Sequence, residues 1–370
     1  MNIPNGQPPF SGILYVGSYG TAEEPTIHVC TFDGNTGELA IIQRVAGLEN
    51  ASYLTLHPKG HRLYAASETE LTGDAGGGSV AAFEIDGATG LLHTTSNRLL
   101  THGAHPCYIS TDNSGQALFA ANYTGGNAAL LPLTAEGELE AAASVQQHAG
   151  ELGPNTARQD APHAHCIIPM GDSEFVCAAD LGIDAIVIYR YDADRRTLKQ
   201  HASCKVHRGA GPRHLIFHPQ LPAGYVMNEL DSTITLLKVD TELGKLTAAQ
   251  SISALPAAFK GYNDAADIHL APSGRYLYSS NRGHNSIAVF SVDQSSGELS
   301  LIQHMDCGGE SPRNFAITPD GRHLLVAHQK TGNIVVFDVN VESGLLTLTD
   351  STLQLSSPVC IKFARPVSPA

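Results

Sequence analysis

The most regular feature of this chain is a short apolar segment that recurs seven times. Each copy has a small residue or proline, two variable positions, three or four mostly apolar positions, and a turn. The copies lie at 51–58, 106–113, 163–170, 212–219, 265–272, 312–319 and 358–363. Short apolar runs bounded by turn residues are typical of β-strands. The pattern therefore predicts seven equivalent strands.

A second marker gives the same number of units. An acidic or polar turn followed by leucine marks the start of an outer strand, at Leu39, Leu92, Leu139, Leu198, Leu246, Leu299 and Leu346, with neighbours 47 to 59 residues apart. A unit of about 50 residues with four short strands, repeated seven times, is the signature of a β-propeller. We predict an all-β fold for residues 1–370: a single domain that forms a seven-bladed β-propeller with four antiparallel strands per blade.

The two ends of the chain complement each other. The last inner strand, Pro358 to Phe363, has no sequence after it that could supply three more strands. The segment from Ile13 to Gly17 has the pattern of a second strand that lacks a first. We therefore expect the N- and C-terminal strands to share one blade, which closes the ring and removes its open edges.

The stretch from Gly209 to Glu229 predicts where the chemistry lies. Arg213 and His214 begin one strand and Glu229 ends the next, so antiparallel pairing puts all three at the same edge of a blade. In a propeller, equivalent positions of the inner strands form rings around a channel mouth. The positions equivalent to His214 are predicted to be Tyr53, Tyr108, His165, Asp267, Asn314 and Cys360, and those equivalent to Glu229 to be Glu68, Tyr123, Asp180, Arg282 and Gln329. Rings of this composition, with none of the eight lysines of the chain, can bind an anion and move a proton.

Two long connections precede the polar strands. The longest, 149–162, comes directly before His163 and His165, and it is expected to lie over the channel mouth and to bring Arg158 there. Loops of this length without regular structure are commonly functional. A second connection, 254–266, precedes Asp267 and contains Lys260 and Tyr262.

A metal site is the competing interpretation of the histidines. His163 with His165, and Asp267 with His269, each place two ligand-type side chains on one face of a strand. Two histidines and a carboxylate suit zinc or non-haem iron. The neighbouring arginines oppose a cation, however, so we predict no metal and no cofactor.

Composition narrows the range of partners. A formal net charge of −14 argues against nucleic acid and against an anionic membrane surface. The N-terminus has no signal-peptide pattern, and no apolar run is long enough to cross a membrane. The seven scattered cysteines indicate reduced thiols in a cytoplasmic protein. The absence of tryptophan disfavours a WD-type interaction propeller, and no feature specifies an oligomeric state.

Several local motifs carry a resemblance to a known family. They are Gly-Pro-Asn with Pro-His-Ala-His within 153–165, Gly-Ala-Gly-Pro-Arg-His at 209–214, Asn-Glu-Leu-Asp-Ser at 228–232, Ala-Asp-Ile-His at 266–269, Ser-Asn-Arg-Gly at 280–283 and Ser-Pro-Arg-Asn at 311–314. With these motifs the whole chain resembles the lactonase family of seven-bladed propellers. That family includes bacterial 6-phosphogluconolactonases and fungal cyclases that make muconolactone-type rings.

The resemblance implies a function and a set of residues. It implies hydrolysis of a sugar-acid lactone, above all 6-phospho-D-glucono-1,5-lactone, with His165, Arg213, Glu229 and Arg282 as catalytic residues. Glu229 or His165 would be the base, and Arg213 and Arg282 would stabilise charge. Asp267 stands where many members have glutamate. The residues expected to contact substrate are His163, Arg158, Asp180, His214, Asp267, His269, Arg313 and Asn314, of which Arg158 and Arg313 are the cations available for a phosphate.

Two other functions fit the same residues. The site run in reverse gives a cycloisomerase that closes a lactone on a carboxylated diene. The fold also supports a propeller that binds a ligand without catalysis, because a fold by itself does not determine an activity.

Overall fold

The computed structural model describes residues 8–73 and 75–364, and these residues form seven four-stranded antiparallel sheets and one two-stranded sheet. The predicted seven-bladed propeller is confirmed. None of these residues lies in a helix that could cross a membrane.

The first thirteen strands run through the first three blades. They are β1 (Gly12–Ser18), β2 (Ile27–Phe32), β3 (Leu39–Val45), β4 (Ala51–Leu56), β5 (Arg62–Ser67), β6 (Leu71–Thr72), β7 (Ala75–Gly76), β8 (Ser79–Ile85), β9 (Leu92–Leu100), β10 (Pro106–Thr111), β11 (Ala117–Asn122), β12 (Asn127–Pro132) and β13 (Ser144–Gln147). Strands β6 and β7 form a small hairpin that is inserted between β5 and β8.

The remaining strands complete the ring. They are β14 (Ala164–Pro169), β15 (Phe175–Asp180), β16 (Ala185–Asp192), β17 (Thr197–Lys205), β18 (Pro212–Phe217), β19 (Ala223–Asn228), β20 (Thr233–Asp240), β21 (Lys245–Ser253), β22 (Asp264–Leu270), β23 (Tyr276–Arg282), β24 (Ser286–Val292), β25 (Leu299–Asp306), β26 (Pro312–Ile317), β27 (His323–His328), β28 (Asn333–Val339), β29 (Leu346–Gln354) and β30 (Pro358–Phe363).

The predicted closure of the ring is also confirmed. The first blade has the strand order β3-β2-β1-β30, and β1 pairs antiparallel with β30. The chain therefore begins and ends in the same blade, and β30 is the innermost strand of that blade.

Apolar side chains fill the spaces between neighbouring blades. Fully buried tyrosines on second strands extend this packing, and each donates a hydrogen bond to a glycine carbonyl in a turn of the next blade. Tyr64 donates to Gly137 at 2.7 Å, and Tyr225 to Gly297 at 2.8 Å. These bonds satisfy phenol groups that would otherwise be buried without a partner.

The recurrent leucine markers have a structural reason. The side-chain amide of Gln43 donates to the carbonyl of Leu92 and accepts from its N–H, both at 2.8 Å, and Gln303 binds the backbone of Leu346 in the same way. The marker leucine is thus the point where an outer strand is fixed to the preceding blade. The marker Leu139 lies in an isolated bridge with Leu133, and the outer strand of that blade begins only at Ser144.

Candidate active site

The polar side chains reach the channel mouth through irregularities at the start of the inner strands. In six blades the pairing register skips the second residue of the inner strand, as where Pro212 pairs with Asn228 and His214 with Met227. The skipped residues are Ser52, Cys107, His165, Arg213, Arg313 and Val359. Bulges of this kind are known to redirect a side chain next to active sites. Four of the six, Cys107, His165, Arg213 and Arg313, contribute to the cluster described below.

Glu229 is the centre of the cluster. It follows β19 and is almost completely buried. Its Oε1 atom lies 2.5 Å from Nη2 of Arg158 and 3.3 Å from Nη2 of Arg282, and its Oε2 atom lies 2.8 Å from Nε of Arg213. One buried carboxylate thus contacts three guanidinium groups that come from three different parts of the chain.

The charges of this cluster act on one another. Burial alone would raise the pKa of Glu229, but Arg282, Arg213 and the other cations hold it well below its ordinary value. Burial lowers the pKa of Arg282 to about 10, although the charge of Glu229 opposes this shift. Glu229 is therefore an ionised carboxylate, and its negative charge keeps the buried guanidinium groups together.

Two guanidinium N–H groups in the cluster have no hydrogen-bond acceptor among the residues that the structure describes. Nε of Arg282 is buried without a hydrogen bond. Nε of Arg213 is close to Glu229 but is not aligned for a hydrogen bond with it. Buried donors are nearly always satisfied in proteins, so these two N–H groups leave the cluster with unused donor capacity.

His165 lies beside Glu229 as a neutral imidazole. Its Nε2 atom is 3.9 Å from Oε2 of Glu229, and its Nδ1 atom is 3.5 Å from Sγ of Cys107. Burial and the charge of Arg213 hold the pKa of His165 well below its ordinary value. The ring therefore has an unprotonated nitrogen at neutral pH, as a proton acceptor requires.

The loop at 149–162 places Arg158 as the sequence predicted. The loop is fixed by Gln159, whose buried amide donates to the carbonyl of Leu181 and to Oδ1 of Asp184, both at 2.8 Å. Arg158 reaches across the mouth to Glu229, and its Nη1 atom is 3.5 Å from Asp264. In the second connection, the hydroxyl of the exposed Tyr262 binds the same carboxylate of Asp264.

Arg313 stands on the opposite side of the mouth. Its guanidinium lies over the ring of Tyr19, 5.3 Å from the centroid, and the Tyr19 hydroxyl donates to Glu68 at 2.8 Å. Within the described part of the chain, Arg313 makes no hydrogen bond. A guanidinium that lies over an aromatic ring can still donate hydrogen bonds to an incoming acceptor.

Four of the residues expected to contact substrate bind one another instead. Oδ1 of Asp267 accepts from His214, and Oδ2 lies within 2.9 Å of His269 and accepts from Asn314. His214, Asp267 and Asn314 are buried, whereas His269 is only partly buried. The group contacts Arg213 through Nε2 of His214.

The structure does not bring Asp180 to the cluster. Asp180 pairs with Ala164, and its carboxylate accepts from the backbone N–H groups of His163 and Gly182 and contacts Nδ1 of His148. In this blade the strand pairing differs by one residue from the equivalence that was predicted from the repeats. The position equivalent to Glu229 is Leu181, and His165 is equivalent to Arg213 rather than to His214.

His163 lies at the rim of the site. Its ring stacks on Tyr123 with centroids 4.5 Å apart, and its Nε2 atom is 3.1 Å from Asp160. It does not touch Glu229 or the arginines bound to it. The ring nonetheless forms part of the wall beside His165, since Tyr123 contacts both histidines.

Cys107 is a site residue that the sequence analysis did not single out. Its thiol contacts His165, and burial raises its pKa well above the ordinary value, so it is a neutral thiol. Its position was visible as a pattern: Cys107 follows Pro106 as Arg213 follows Pro212 and Arg313 follows Pro312. Among the residues with assigned coordinates, no group of three or more His, Cys, Asp or Glu side chains is arranged to hold a metal ion.

Comparisons with known proteins agree with this architecture. The family model described as "Lactonase, 7-bladed beta-propeller" matches residues 13–363. The 6-phosphogluconolactonase of Bacillus subtilis is 35% identical over 355 residues, which cover 96% of this chain and 99% of the relative. A protein of the same name from Formosa agariphila is 35% identical and covers 82% of this chain and 86% of its own length.

A solved structure is similar over nearly the full length. The periplasmic gluconolactonase PpgL of Pseudomonas aeruginosa superimposes with a TM-score of 0.89 at 32% sequence identity, over 96% of this chain and 99% of that chain. With the family match over 13–363, this leads to one conclusion: the chain belongs to the lactonase family of seven-bladed β-propellers.

Proposed function

We propose that this protein is a lactonase that hydrolyses the 1,5-lactone of a sugar acid, with 6-phosphogluconolactone as its substrate. The observation that supports this most directly is the cluster of Arg158, Arg213 and Arg282 around one buried carboxylate, beside a neutral imidazole. The names of the relatives point to the same reaction.

The reaction needs a proton acceptor, stabilisation of an oxyanion, and a proton for the leaving oxygen. We assign the proton transfer to His165. Water attacks the lactone carbonyl as its proton passes to the imidazole, and the imidazolium then protonates the ring oxygen as the acyl C–O bond breaks. Glu229 is less suited to accept a proton because three guanidinium groups contact it.

The guanidinium groups stabilise the charge that develops on the carbonyl oxygen. Arg213 and Arg282 are suited to this role, because both guanidinium groups lie against Glu229, next to the imidazole of His165. Donors held in place in a buried site stabilise developing charge without reorganisation. In this assignment Glu229 holds these arginines in place and balances part of their charge.

We assign recognition of the substrate phosphate to Arg313. Arg158 is already bound to Glu229 and Asp264, whereas Arg313 makes no hydrogen bond to any residue that the structure describes and lies over the ring of Tyr19. A planar guanidinium can donate two parallel hydrogen bonds to a phosphate.

The test compares two lactones. Hydrolysis of freshly generated 6-phosphogluconolactone is measured against its spontaneous rate, with gluconolactone in parallel. We expect the protein to accelerate the first more strongly, and Arg313→Met to lower its kcat/KM by about 10- to 100-fold, the equivalent of one charged hydrogen bond, with a smaller effect on gluconolactone. Equal acceleration of both lactones would remove the phosphate from the proposal, and no acceleration of either would leave a binding protein.

The seven cysteines support a proposal about location. All seven are free and buried, as is usual in a reducing compartment. We therefore propose the cytoplasm as the site of action.

A further inference from the structure

A chain of buried hydrogen bonds runs from Asp267 through His214 to Arg213. Oδ1 of Asp267 lies 2.7 Å from Nδ1 of His214, and Nε2 of the same ring lies 3.0 Å from Nη1 of Arg213. All three residues are at most 5% exposed. The contacts join two inner strands, β18 and β22, directly beside the carboxylate of Glu229.

The proton positions in this chain follow from the chemistry of the groups. A guanidinium has only donors, so Nε2 of His214 must accept from Arg213. The ring proton is then on Nδ1, and it is donated to Asp267. Burial and the charge of Arg213 lower the pKa of His214 to about 4, which agrees with a neutral ring.

Asp267 is fixed as an acceptor by its other partners. Its Oδ1 atom also accepts from the N–H of Ile268 at 3.0 Å, and its Oδ2 atom accepts from the N–H of Phe315 at 3.2 Å and from Nδ2 of Asn314 at 2.5 Å. The amide of Asn314 is oriented in turn, because its oxygen accepts from the N–H of Ile361 at 2.7 Å. The carboxylate therefore cannot rotate away from His214.

Arg213 is held on three sides. Its Nη1 atom donates to the carbonyl of Ala266 and to His214, and its Nε atom lies against Glu229. Without His214, the same Nη1 group could rotate towards Glu229 or towards the substrate. The imidazole thus restricts the plane in which the guanidinium lies.

We propose that Asp267 and His214 are positioning residues that set the orientation of Arg213, and that they do not bind the substrate. This proposal rests on the role given to Arg213 in the proposed lactonase reaction. It accounts for a buried carboxylate whose acceptor sites are all used inside the protein, at a position where the sequence had suggested a substrate contact.

The first experiment uses two substitutions that separate the two nitrogens of His214. Asparagine places an amide near Nδ1, so His214→Asn keeps a donor for Asp267 and loses the contact with Arg213. Glutamine reaches the position of Nε2, so His214→Gln keeps an acceptor for Arg213 and loses the bond to Asp267. We expect kcat/KM of His214→Asn to be about tenfold below that of His214→Gln or lower, since an aligned charged hydrogen bond is lost.

Thermal unfolding of both variants separates this role from a structural one. If His214 only stabilised the blades, the two variants would lose activity in proportion to their loss of stability. Equal kcat/KM values for the two folded variants, or a lower value for His214→Gln, would overturn the proposal.

A second experiment is independent of activity. The Nδ1–H tautomer of His214 is expected in the 15N NMR spectrum of the histidine-labelled protein, with the resonances assigned by their loss in His214→Asn. An Nε2–H tautomer in the unmodified protein would overturn the inference, whereas an inactive protein with the Nδ1–H tautomer would overturn only the proposed function.

Discussion

Glu229 and His165 are neighbours with different electrostatic environments. Glu229 contacts three guanidinium groups, whereas the nearest carboxylate oxygen to the Nε2 atom of His165 is 3.9 Å away. Both groups have a pKa below the ordinary value, so both are unprotonated at neutral pH. Of the two groups, only the imidazole then has a proton-accepting atom that is not already bound to a cation.

This difference predicts how two substitutions diverge. His165→Gln should lower kcat by about 10²- to 10⁴-fold, the usual contribution of a general base, with little change in KM. Glu229→Gln should lower kcat less. It should also lower KM for the phosphorylated lactone but not for gluconolactone, because the arginines lose their counter-charge and attract an anion more strongly. Steady-state kinetics with both lactones measure this. A larger loss of kcat in Glu229→Gln than in His165→Gln, with unchanged KM, would assign the base to Glu229.

At the scale of the single strand, register limits what the sequence can predict. The seven copies, the ring closure and the meeting of His165, Arg213, Glu229 and Arg282 could all be derived from periodic apolar positions and motifs. The one-residue difference in the blade of His165 could not, because the long loop before Ala164 hides the point where pairing with Asp180 begins. The internal bonding of His214 and Asp267 was equally hidden, since it depends on which atoms of neighbouring blades come within 3 Å.

The loop at 149–162 depends on a close approach between two backbone segments. A Cβ atom on Gly182 would lie 1.8 Å from the carbonyl oxygen of Ala161, which is part of that loop. The N–H of Gly153 also donates to the carbonyl of Gly182 at 2.9 Å. Only glycine leaves room for the loop at this position.

Gly182→Ala should therefore displace the loop and Arg158 with it. We expect a fall in kcat/KM of about tenfold or more, as one misplaced charged contact would produce, together with a lower Tm. Gly76→Ala is a suitable control, because an added Cβ there meets nothing within 4 Å. Kinetics and thermal unfolding of both variants test this. Wild-type activity in a folded Gly182→Ala variant would show that the loop position is not needed.

At the scale of the whole molecule, buried histidines connect stability to pH. Burial lowers the pKa of His214 and of His328 to about 4, while in the unfolded chain a histidine has a pKa of about 6.5. As the pH falls below 6.5, the unfolded state takes up protons that the folded state does not. The free energy of unfolding therefore falls with decreasing pH until the folded-state pKa is reached, by about 2 kcal/mol per histidine at pH 5.

Equilibrium urea unfolding between pH 7.5 and pH 4.5 checks this dependence. His328→Leu removes one of these groups from a buried position outside the active site. We expect the free energy of unfolding of this variant to fall less between pH 7.5 and pH 5 than that of the unmodified protein. The two decreases should differ by about 2 kcal/mol. Parallel curves for the variant and the unmodified protein would contradict the assignment.

Closure of the ring by β30 makes the molecule depend on its last strand. Val359, Cys360 and Ile361 are buried, and β30 pairs with β1 from Leu14 to Ser18. Truncation after Ser357 should expose the edge of β1 and the apolar faces of two neighbouring blades, and should cause unfolding or aggregation. Truncation after Ala364 keeps all the described strands and is the control.

A peptide with the sequence 356–366 should restore the Tm and the activity of the shorter chain, because an added strand can pair with a free sheet edge. An unchanged Tm without β30 would mean that six complete blades and an open seventh are sufficient for the fold.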